Sequence, residues 1–355
     1  MEAGSQTAVA ARLDLGGGRG ALPGWAPYGV LAGSAAVSAA ALLAGGAFTI
    51  ALTLVFAVLV GCVALYAWSR AVEGPRRAKD RVMTLAIASA FGLAMVPLIS
   101  LLYEVGKRGL PGISLEFFSD DARGVINGGG AAHAIVGTLV ITGVAALISV
   151  PIGIMAAIYL TEYGSGKLRR ALTFFVDVMT GIPSIVAGLF AYALFEIFFG
   201  PGIRLGVMGS VALSVLMIPI VIRSAEEVLK IVPAHLREAA YALGTPKWKT
   251  ITKIVLPTAF AGLVTGVMIA VARIVGETAP LLVTTGVIDS LNSDPFNGRM
   301  QNLAVYAYNE YRSPGVLKQA SYDRAWAAAL TLIAIVMILN IAARLVYRRY
   351  KTEIR

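Results

Sequence analysis

Long apolar runs separated by short polar segments make up most of the chain. A helix needs about 20 apolar residues to cross the hydrocarbon core of a bilayer. No charged residue occurs from Gly20 to Trp68, which leaves room for two such helices with a turn at Gly45-Gly46. The pattern predicts eight membrane spans, near residues 27–45, 47–69, 82–104, 132–160, 171–199, 206–231, 258–286 and 325–346.

Composition supports an all-α integral membrane protein. Of 355 residues, 57% are hydrophobic and only 14% are charged, with a mean hydropathy of +0.77. Soluble proteins carry about a quarter charged residues. The net charge of +10 is then a signal of topology, because Lys and Arg collect on the cytoplasmic side of membrane helices. Most of the 30 basic residues fall on that side if both termini are cytoplasmic.

The predicted organisation has five parts. They are a cytoplasmic N-terminal tail (1–26), an additional transmembrane hairpin (27–69), a basic cytoplasmic linker (70–81), a six-helix core (82–346) and a basic cytoplasmic tail (347–355).

Two long segments on the opposite side, 105–131 and 287–324, contain the motifs FFSDD (117–121) and YAYNEY (306–311). They are either solvated connectors or a docking surface for a partner outside the cell membrane.

The residues indicate no catalytic, metal or cofactor site. His133 and His235 are too few and too far apart for a metal site, and the lone Cys62 has no partner for a disulfide. The segment YGSGKLRR (163–170) lacks the spacing of a phosphate-binding P-loop, so ATP is not expected to bind this chain by that route. Nucleic acid is not an expected partner.

The polar segment before the seventh span predicts two short helices. Pro233 opens the first, and Gly244 follows its last turn. Thr245 offers an N-cap and Pro246 a first-turn proline for the second helix, which should close at Pro257. The small residues Ala239, Ala240 and Ala242 would allow another surface to approach closely, although such a loop can equally be a plain connector.

The same segment carries an ordered motif: Glu238-Ala239-Ala240, then Gly244, then Ile254-x-Leu256-Pro257. This motif resembles the coupling loop of ABC-importer permeases. The resemblance implies that loop 233–257 docks into a separate ATPase subunit and transmits its closure to the membrane helices.

Two pairs of opposite charges lie within predicted spans. Arg273 and Glu277 are four residues apart in VARIVGETAPLL, and Arg223 and Glu226 are three apart in PIVIRSAEE, so each pair should share one helix face. Charges at membrane depth are costly and normally face a bundle interior or a water-filled path. The pairs are either salt bridges that pack helices or parts of an anion site.

Arginine suits a tetrahedral oxyanion, because its planar fork donates two parallel hydrogen bonds. An ionised carboxylate only accepts hydrogen bonds. A site with both would favour phosphate, which retains an O–H group, over sulfate, which has none.

The stretches ARIVGETAPLL, VIR-x-x-E and REAAYALGTPKWK together resemble PstA-type permease subunits of phosphate-specific ABC importers, over roughly residues 80–350. The resemblance implies a type I ABC-importer permease fold and a phosphate path lined by Arg223, Glu226, Arg273 and Glu277. The hairpin 27–69 departs from the six-helix family core, and its role is open.

Weaker candidates are Asp177 and Glu196, which are expected to be interfacial or helix-packing groups. The sequence TGIPS (180–184) should break or kink the fifth span. Helix length suggests that Arg223 and Arg273 are not level in the membrane, and it stays open whether the two pairs bind one ion together or act in series.

The predicted protein is a non-enzymatic permease of the bacterial inner membrane with both termini cytoplasmic. The resemblance implies a second permease (PstC-type), cytoplasmic ATPase subunits (PstB-type), an extracytoplasmic phosphate-binding protein (PstS-type) and inorganic phosphate as partners, besides the lipid bilayer. Two alternatives remain: a permease for another oxyanion, and an ATP-independent secondary transporter or membrane sensor.

Overall fold

The computed structural model describes residues 20–46, 48–123 and 129–350, the side chains of residues 346–350 excepted. Within these ranges the chain is helical and has no β-strand, which confirms the all-α prediction. Most of the predicted N-terminal tail (1–19) and the end of the C-terminal tail (351–355) lie outside the described residues.

The helices are α1 (Ala26–Ala44), α2 (Ile50–Val72), α3 (Pro75–Gly109), α4 (Leu115–Ser119), α5 (Ala132–Ile158), α6 (Gly166–Thr180), α7 (Ser184–Phe199), α8 (Gly206–Ile231), α9 (Ala234–Ala242), α10 (Lys247–Thr250), α11 (Leu256–Val275), α12 (Ala279–Thr284), α13 (Leu303–Arg312) and α14 (Lys318–Tyr350). Two π-helical turns, Tyr159–Tyr163 and Ile251–Val255, extend α5 and join α10 to α11.

Seven described helical stretches are long and apolar enough to cross a membrane, and the pair α6 and α7 gives an eighth if it counts as one span. Within the predicted span 171–199, α6 and α7 meet at an angle of 108°, so this segment is a broken span or a re-entrant loop and not one straight helix. The break falls in TGIPS as expected, because Pro183 has no N–H for a helical bond. The arrangement fits a hairpin plus a six-helix core.

The chain divides into two compact units, the first ending at Tyr103 and the second beginning at Glu104. In the first unit, α1 and α2 form the predicted hairpin, and Gly46 adopts a left-handed φ of +69° after α1. Ser34 Oγ donates a hydrogen bond to the Ala57 carbonyl across the hairpin, at 2.8 Å. Gly61 leaves room for this serine, since a Cβ there would lie 3.0 Å from its hydroxyl.

The segment 70–81 is mostly helical, with a tight turn at Glu73-Gly74, and its role as a basic cytoplasmic linker stays a prediction. Helix α2 continues to Val72 and α3 already begins at Pro75. Proline fits the first position of a helix because its missing N–H would have no helical partner there. Gly74 takes the left-handed φ of +93° that the turn requires. The other predicted domain limits stay predictions.

Glu73 anchors this turn. Its carboxylate accepts hydrogen bonds from the Leu22 backbone N–H at 2.8 Å and from Ser69 Oγ at 2.7 Å. Arg81 Nε lies 2.6 Å from the same carboxylate. The hydrogen bond from Arg81 lowers the pKa of Glu73 to about 2, although burial opposes the shift. The turn therefore contains a buried carboxylate that stays ionised.

In the second unit, α5 and α8 pack along their length. Ser210 Oγ donates to the Ile141 carbonyl at 3.0 Å, and Ser214 Oγ donates to the Ala145 carbonyl at 3.4 Å. Short polar side chains that bond to a neighbouring helix are typical of helix contacts in membranes. The apolar core around them is formed by Ile141, Ala145, Leu213, Met217, Val221, Ala270, Ile274, Leu281, Met300 and Val305.

The short helix α12 is inserted between α7 and α8. A Cβ on Gly188 of α7 would lie 2.6 Å from Pro280 Cα, and one on Gly209 of α8 would lie 2.3 Å from Thr285 Cγ2. Arg204 Nη1 donates to the carbonyls of Leu282 and Val283 at 3.1 and 2.6 Å. The two glycines are thus required for close approach, and the arginine satisfies carbonyls at the end of α12.

The segments 105–131 and 287–324 share a buried cluster. Phe117 and Tyr306 are both buried in it, and the Tyr306 ring meets His133 edge-on at 5.2 Å between centroids. Burial raises the pKa of Tyr306 above its ordinary value. The FFSDD and YAYNEY motifs therefore supply packing residues, and a docking role for their exposed residues stays a prediction.

Candidate functional site

Helix α8 places three charged residues on one face near its C-terminal end. Arg223 Nη1 donates to Glu226 Oε2 at 2.8 Å, and Lys230 Nζ donates to Glu226 Oε1 at 2.7 Å. The Glu226 side chain is only 8% exposed. The predicted contact between Arg223 and Glu226 is therefore present, and each oxygen of the carboxylate is paired with a cation.

Asp177 joins this cluster from α6. Its Oδ1 accepts a hydrogen bond from Arg223 Nη2, so Arg223 lies between two carboxylates on different helices. Asp177 is 60% exposed, in contrast to Glu226. From the sequence we placed Asp177 among the packing or interfacial groups, because nothing in the spacing connects it to a residue 46 positions away.

The second charged pair does not form as predicted. Helix α11 ends at Val275, and Glu277 lies in the break before α12. Pro280 opens α12 and cannot donate a helical hydrogen bond, which favours a restart over a continuous helix. Arg273 is exposed, and no ion pair joins it to Glu277 in the part of the chain that the structure describes.

The two arginines lie at different heights along their antiparallel helices. A Cβ on Gly266 of α11 would meet Ser224 of α8 at 2.8 Å, and one on Gly262 would meet Val228 at 2.5 Å. These contacts fix the register. Arg273 then lies about six residues, or about 9 Å at 1.5 Å per residue, beyond the level of Arg223.

The loop between α8 and α11 begins with α9 and turns at Gly244, as predicted. Gly244 has φ of +73°. Its N–H donates to the Tyr241 carbonyl at 2.9 Å, and the Thr245 N–H donates to the Ala240 carbonyl at 3.0 Å. This pair of bonds is the Schellman motif, which satisfies the last carbonyls of a helix with a left-handed residue after it.

The second half of the loop differs from the prediction. Thr245 does not cap α10, whose N-cap is Pro246 without a side-chain hydrogen bond. Pro257 does not close the helix either, because α10 continues through the π-helical turn Ile251–Val255 into α11. Pro257 follows directly after the π-helical turn, which interrupts the regular α-helical bonding and so accommodates a residue without an N–H. The loop therefore ends in a continuous helical connection to the membrane span.

The exposed face of the loop is larger than the predicted stripe of small residues. Glu238 and Ala239 are exposed, but Ala240 is buried against the chain itself and cannot contact another protein directly. Two large apolar side chains, Leu243 and Trp248, are 86% and 62% exposed. These two side chains are available for contact with another protein.

Arg237 attaches α9 to the rest of the core. Its Nη2 donates to Glu162 Oε1 at 2.7 Å, and Nε donates to the same oxygen at 3.0 Å. It also donates to the carbonyls of Leu229 at 3.0 Å and Val232 at 2.7 Å, which end α8. Sequence analysis missed this link, since Glu162 lies in the π-helical turn after α5.

The region 149–352 matches a family model described as "Binding-protein-dependent transport system inner membrane component". The match covers more than half of the chain. A charged cluster that joins α6 to α8, together with an exposed loop that Arg237 ties to the helical core, agrees with this description. The chain is thus a multi-span inner membrane component of a binding-protein-dependent transport system.

Curated relatives narrow this class. The chain is 45% identical over 275 residues to "Phosphate transport system permease protein PstA 1" of Mycobacterium tuberculosis (strain ATCC 25618 / H37Rv), covering 76% of this chain and 88% of that protein. It is 39% identical over 282 residues to the PstA protein of Yersinia pestis, covering 78% and 92%. The chain belongs to the PstA family of phosphate transport system permease proteins.

Solved structures support the fold. A chain of a bacterial alginate ABC transporter aligns with a TM-score of 0.57 at 16% identity, covering 77% of this chain and 96% of that chain. A chain of the MetNI methionine ABC transporter aligns with a TM-score of 0.52 at 23% identity, covering 62% and 96%. The predicted type I ABC-importer permease fold is confirmed.

Proposed function

We propose that this chain is the permease subunit of an ATP-driven phosphate importer and forms half of its translocation path. The observation that carries the proposal is the charged cluster around Arg223 on α8, a helix long and apolar enough to cross a membrane, in a chain whose relatives are phosphate transport permeases. Buried charge is costly in a membrane and is typical of substrate paths. An arginine at this depth provides the bidentate donors that a tetrahedral oxyanion accepts.

Arg273 and Arg223 are proposed as two successive stations for the ion. The register of α8 and α11 separates their backbone levels by about 9 Å along the bundle, so we assign them to two depths of the path. Arg273 is exposed and lies two residues before α11 ends at Val275. Phosphate would meet it first on the way from outside and pass on to Arg223.

Glu277 is the carboxylate best placed to distinguish phosphate from sulfate. Both oxygens of Glu226 already accept from cations. No hydrogen bond to the Glu277 carboxylate is found among the described residues, although its backbone carbonyl accepts one from Asn302 Nδ2 at 3.2 Å. An ionised carboxylate can accept the O–H of a protonated phosphate, whereas sulfate has no such proton to donate. Glu226 instead holds Arg223 in place.

ATP hydrolysis is proposed to occur on a separate chain that contacts loop 233–257. Glu238, Ala239, Leu243 and Trp248 would form the contact surface, and Gly244 sets its turn. The continuous path from α10 through the π-helical turn into α11 would transmit a movement of the loop to the helix that carries Arg273. Ala240 and Pro257 would support this path from within.

The proposed complex contains a second permease of the same kind, two cytoplasmic ATPase subunits and an extracytoplasmic phosphate-binding protein. Support comes from the family description, which names a binding-protein-dependent system, and from relatives called phosphate transport permeases. A single six-helix core can line only half of such a path. Both termini would face the cytoplasm, as the distribution of basic residues suggests.

The direct test is uptake of labelled phosphate by cells that lack other phosphate importers and produce the whole complex. We expect uptake with the wild-type chain to persist in excess sulfate. Arg273→Gln and Arg223→Gln should each abolish most of it at matched membrane levels. Glu196→Gln, which removes one charge from α7 outside the proposed path, should transport like the wild type.

Uptake that sulfate blocks would assign the complex to another oxyanion. Full uptake by Arg273→Gln would remove Arg273 from the path and leave it a packing role. Uptake that survives loss of ATP hydrolysis would favour an ion-coupled secondary transporter.

A further inference from the structure

Arg223 has both terminal nitrogens occupied in this structure. Nη1 donates to Glu226 at 2.8 Å, and Nη2 donates to Asp177. A phosphate anion that binds this arginine competes with the two carboxylates for the same guanidinium, although each terminal nitrogen has a second N–H.

The two carboxylates are held very differently. Glu226 is 8% exposed and is also bound to Lys230 through its second oxygen, one helical turn along α8. Asp177 is 60% exposed, and within the described ranges Arg223 is its only hydrogen-bond or ion-pair partner. Asp177 is therefore the group that can leave at the lower cost, because water solvates it readily once it is released.

The position of Asp177 in the chain favours its movement. It lies in the last turn of α6, three residues before the helix ends at Thr180. The chain then bends by 108° into α7, so a shift of this turn need not carry α7 with it. Glu226 lies instead five residues before the end of the packed helix α8, between the buried residues Ile222, Ala225 and Leu229.

We propose that Asp177 is a displaceable counter-ion for Arg223. It neutralises the arginine while the path is empty, and a phosphate oxygen takes its place when the ion arrives. This inference rests on the proposed function, since it assumes that phosphate reaches Arg223. It assigns Glu226 and Lys230 to a fixed support that orients the arginine throughout.

The exchange has a consequence for release. When phosphate leaves Arg223, Asp177 can return to Nη2 and restore the second carboxylate beside the arginine, while Glu226 stays on Nη1. Asp177 thereby competes with phosphate for one site and lowers its retention. A permease with such a competitor should bind phosphate less tightly than one without it.

The test is equilibrium binding of labelled inorganic phosphate to the purified complex, without its binding protein and without nucleotide. Asp177→Asn keeps the shape of the side chain and removes its charge. We expect the Kd for phosphate to fall about two- to fivefold, the range that an exposed ion pair of this kind supports. Asp177→Ser should tighten binding similarly if the Asn variant fails to assemble.

Two further variants act as controls. Asp177→Glu retains a carboxylate and should bind phosphate within about twofold of the wild type. Glu196→Gln removes the same charge from α7, where no contact with Arg223 exists, and should leave the Kd unchanged. Equal tightening by Glu196→Gln would overturn the proposal, because the effect would then reflect net charge alone.

The proposal also fails if Asp177→Asn or Asp177→Ser binds phosphate as weakly as the wild type or more weakly. A wild-type complex that transports phosphate but shows no saturable binding would contradict it as well. Its failure is separate from that of the proposed function, because the function is judged by phosphate uptake in cells and this inference by the change in Kd.

Discussion

Replacing Arg237 with glutamine tests how the exposed loop is held to the helical core. Arg237 forms four hydrogen bonds, two to the Glu162 carboxylate and one each to the carbonyls of Leu229 and Val232. The side chains of Arg237 and Glu162 are 18% and 6% exposed. One guanidinium thus joins α9, the end of α8 and the π-helical turn after α5.

The cost of the substitution follows from this burial. Removing one partner of a buried ion pair costs about 3–5 kcal/mol, because the other charge is left uncompensated. Arg237 is partly open to water, so we take the lower end, about 3 kcal/mol. Each 1.4 kcal/mol is a factor of about ten, so the population with α9 detached should rise about 100-fold.

Hydrogen exchange on the purified complex measures this population directly. In Arg237→Gln, the protection of the α9 backbone amides should fall by about two orders of magnitude. Phosphate uptake per assembled complex should fall with it, because a detached loop cannot transmit ATPase movement. The matched control is Lys249→Gln, which neutralises an exposed cation on the same loop with no ion pair in the described part of the chain.

The reasoning fails if Arg237→Gln keeps amide protection within threefold of the wild type. Loss of protection with full uptake would retain the structural link and remove its role in coupling.

Three further predictions concern folding. Gly188→Ala should lower the thermal midpoint of the purified chain, because its Cβ would lie only 2.6 Å from Pro280 Cα. Gly143→Ala is the control, since a Cβ there meets open space and should leave the midpoint unchanged. Equal midpoints for the two variants would contradict the packing of α12. Gly244→Ala should cost about 1 kcal/mol in chemical denaturation, because φ is +73°, and an unchanged free energy of unfolding would refute the turn. Glu73→Gln should lower the midpoint at pH 6, and the difference from wild type should shrink between pH 4.5 and 2; a constant difference would contradict the ion pair.

The sign of the Glu73 effect follows from its pKa, which Arg81 lowers from 4.5 to about 2. A carboxylate whose pKa is lowered in the folded state contributes its full stabilisation at pH values above its ordinary pKa. This contribution is lost as the pH falls towards the lowered value, where the folded state also takes up the proton.

Much of the fold was predictable because a bilayer restricts the solutions. Apolar runs of sufficient length can cross only as helices, so the positions of the spans follow closely from hydropathy. Local signals were also sufficient at Gly45-Gly46, at TGIPS and at Gly244, where glycine or proline determines the backbone. The spacing of Arg223 and Glu226 correctly placed them in contact on one face of α8.

The errors arose where tertiary contacts decide the outcome. Hydropathy does not distinguish a continuous span from α11 followed by the separate α12, so Arg273 and Glu277 were placed on one helix face that does not exist. Pro257 reads as a helix end in sequence, but a π-helical turn lets the helix continue. The partners of Arg223 and Arg237, Asp177 and Glu162, are distant in sequence, and no local pattern connects them.

The most direct test of the central claim is phosphate accumulation in proteoliposomes that contain the complete complex, isolated together with this chain. The phosphate-binding protein is supplied on the side of the vesicle membrane that corresponds to the cell exterior. Labelled phosphate should then accumulate against its gradient only when ATP is supplied to the ATPase subunits. Excess sulfate should not reduce it, and Arg223→Gln should abolish it at equal complex content. Accumulation without ATP, accumulation that sulfate abolishes, or no accumulation by a complex that hydrolyses ATP would each contradict an ATP-driven phosphate path through this permease.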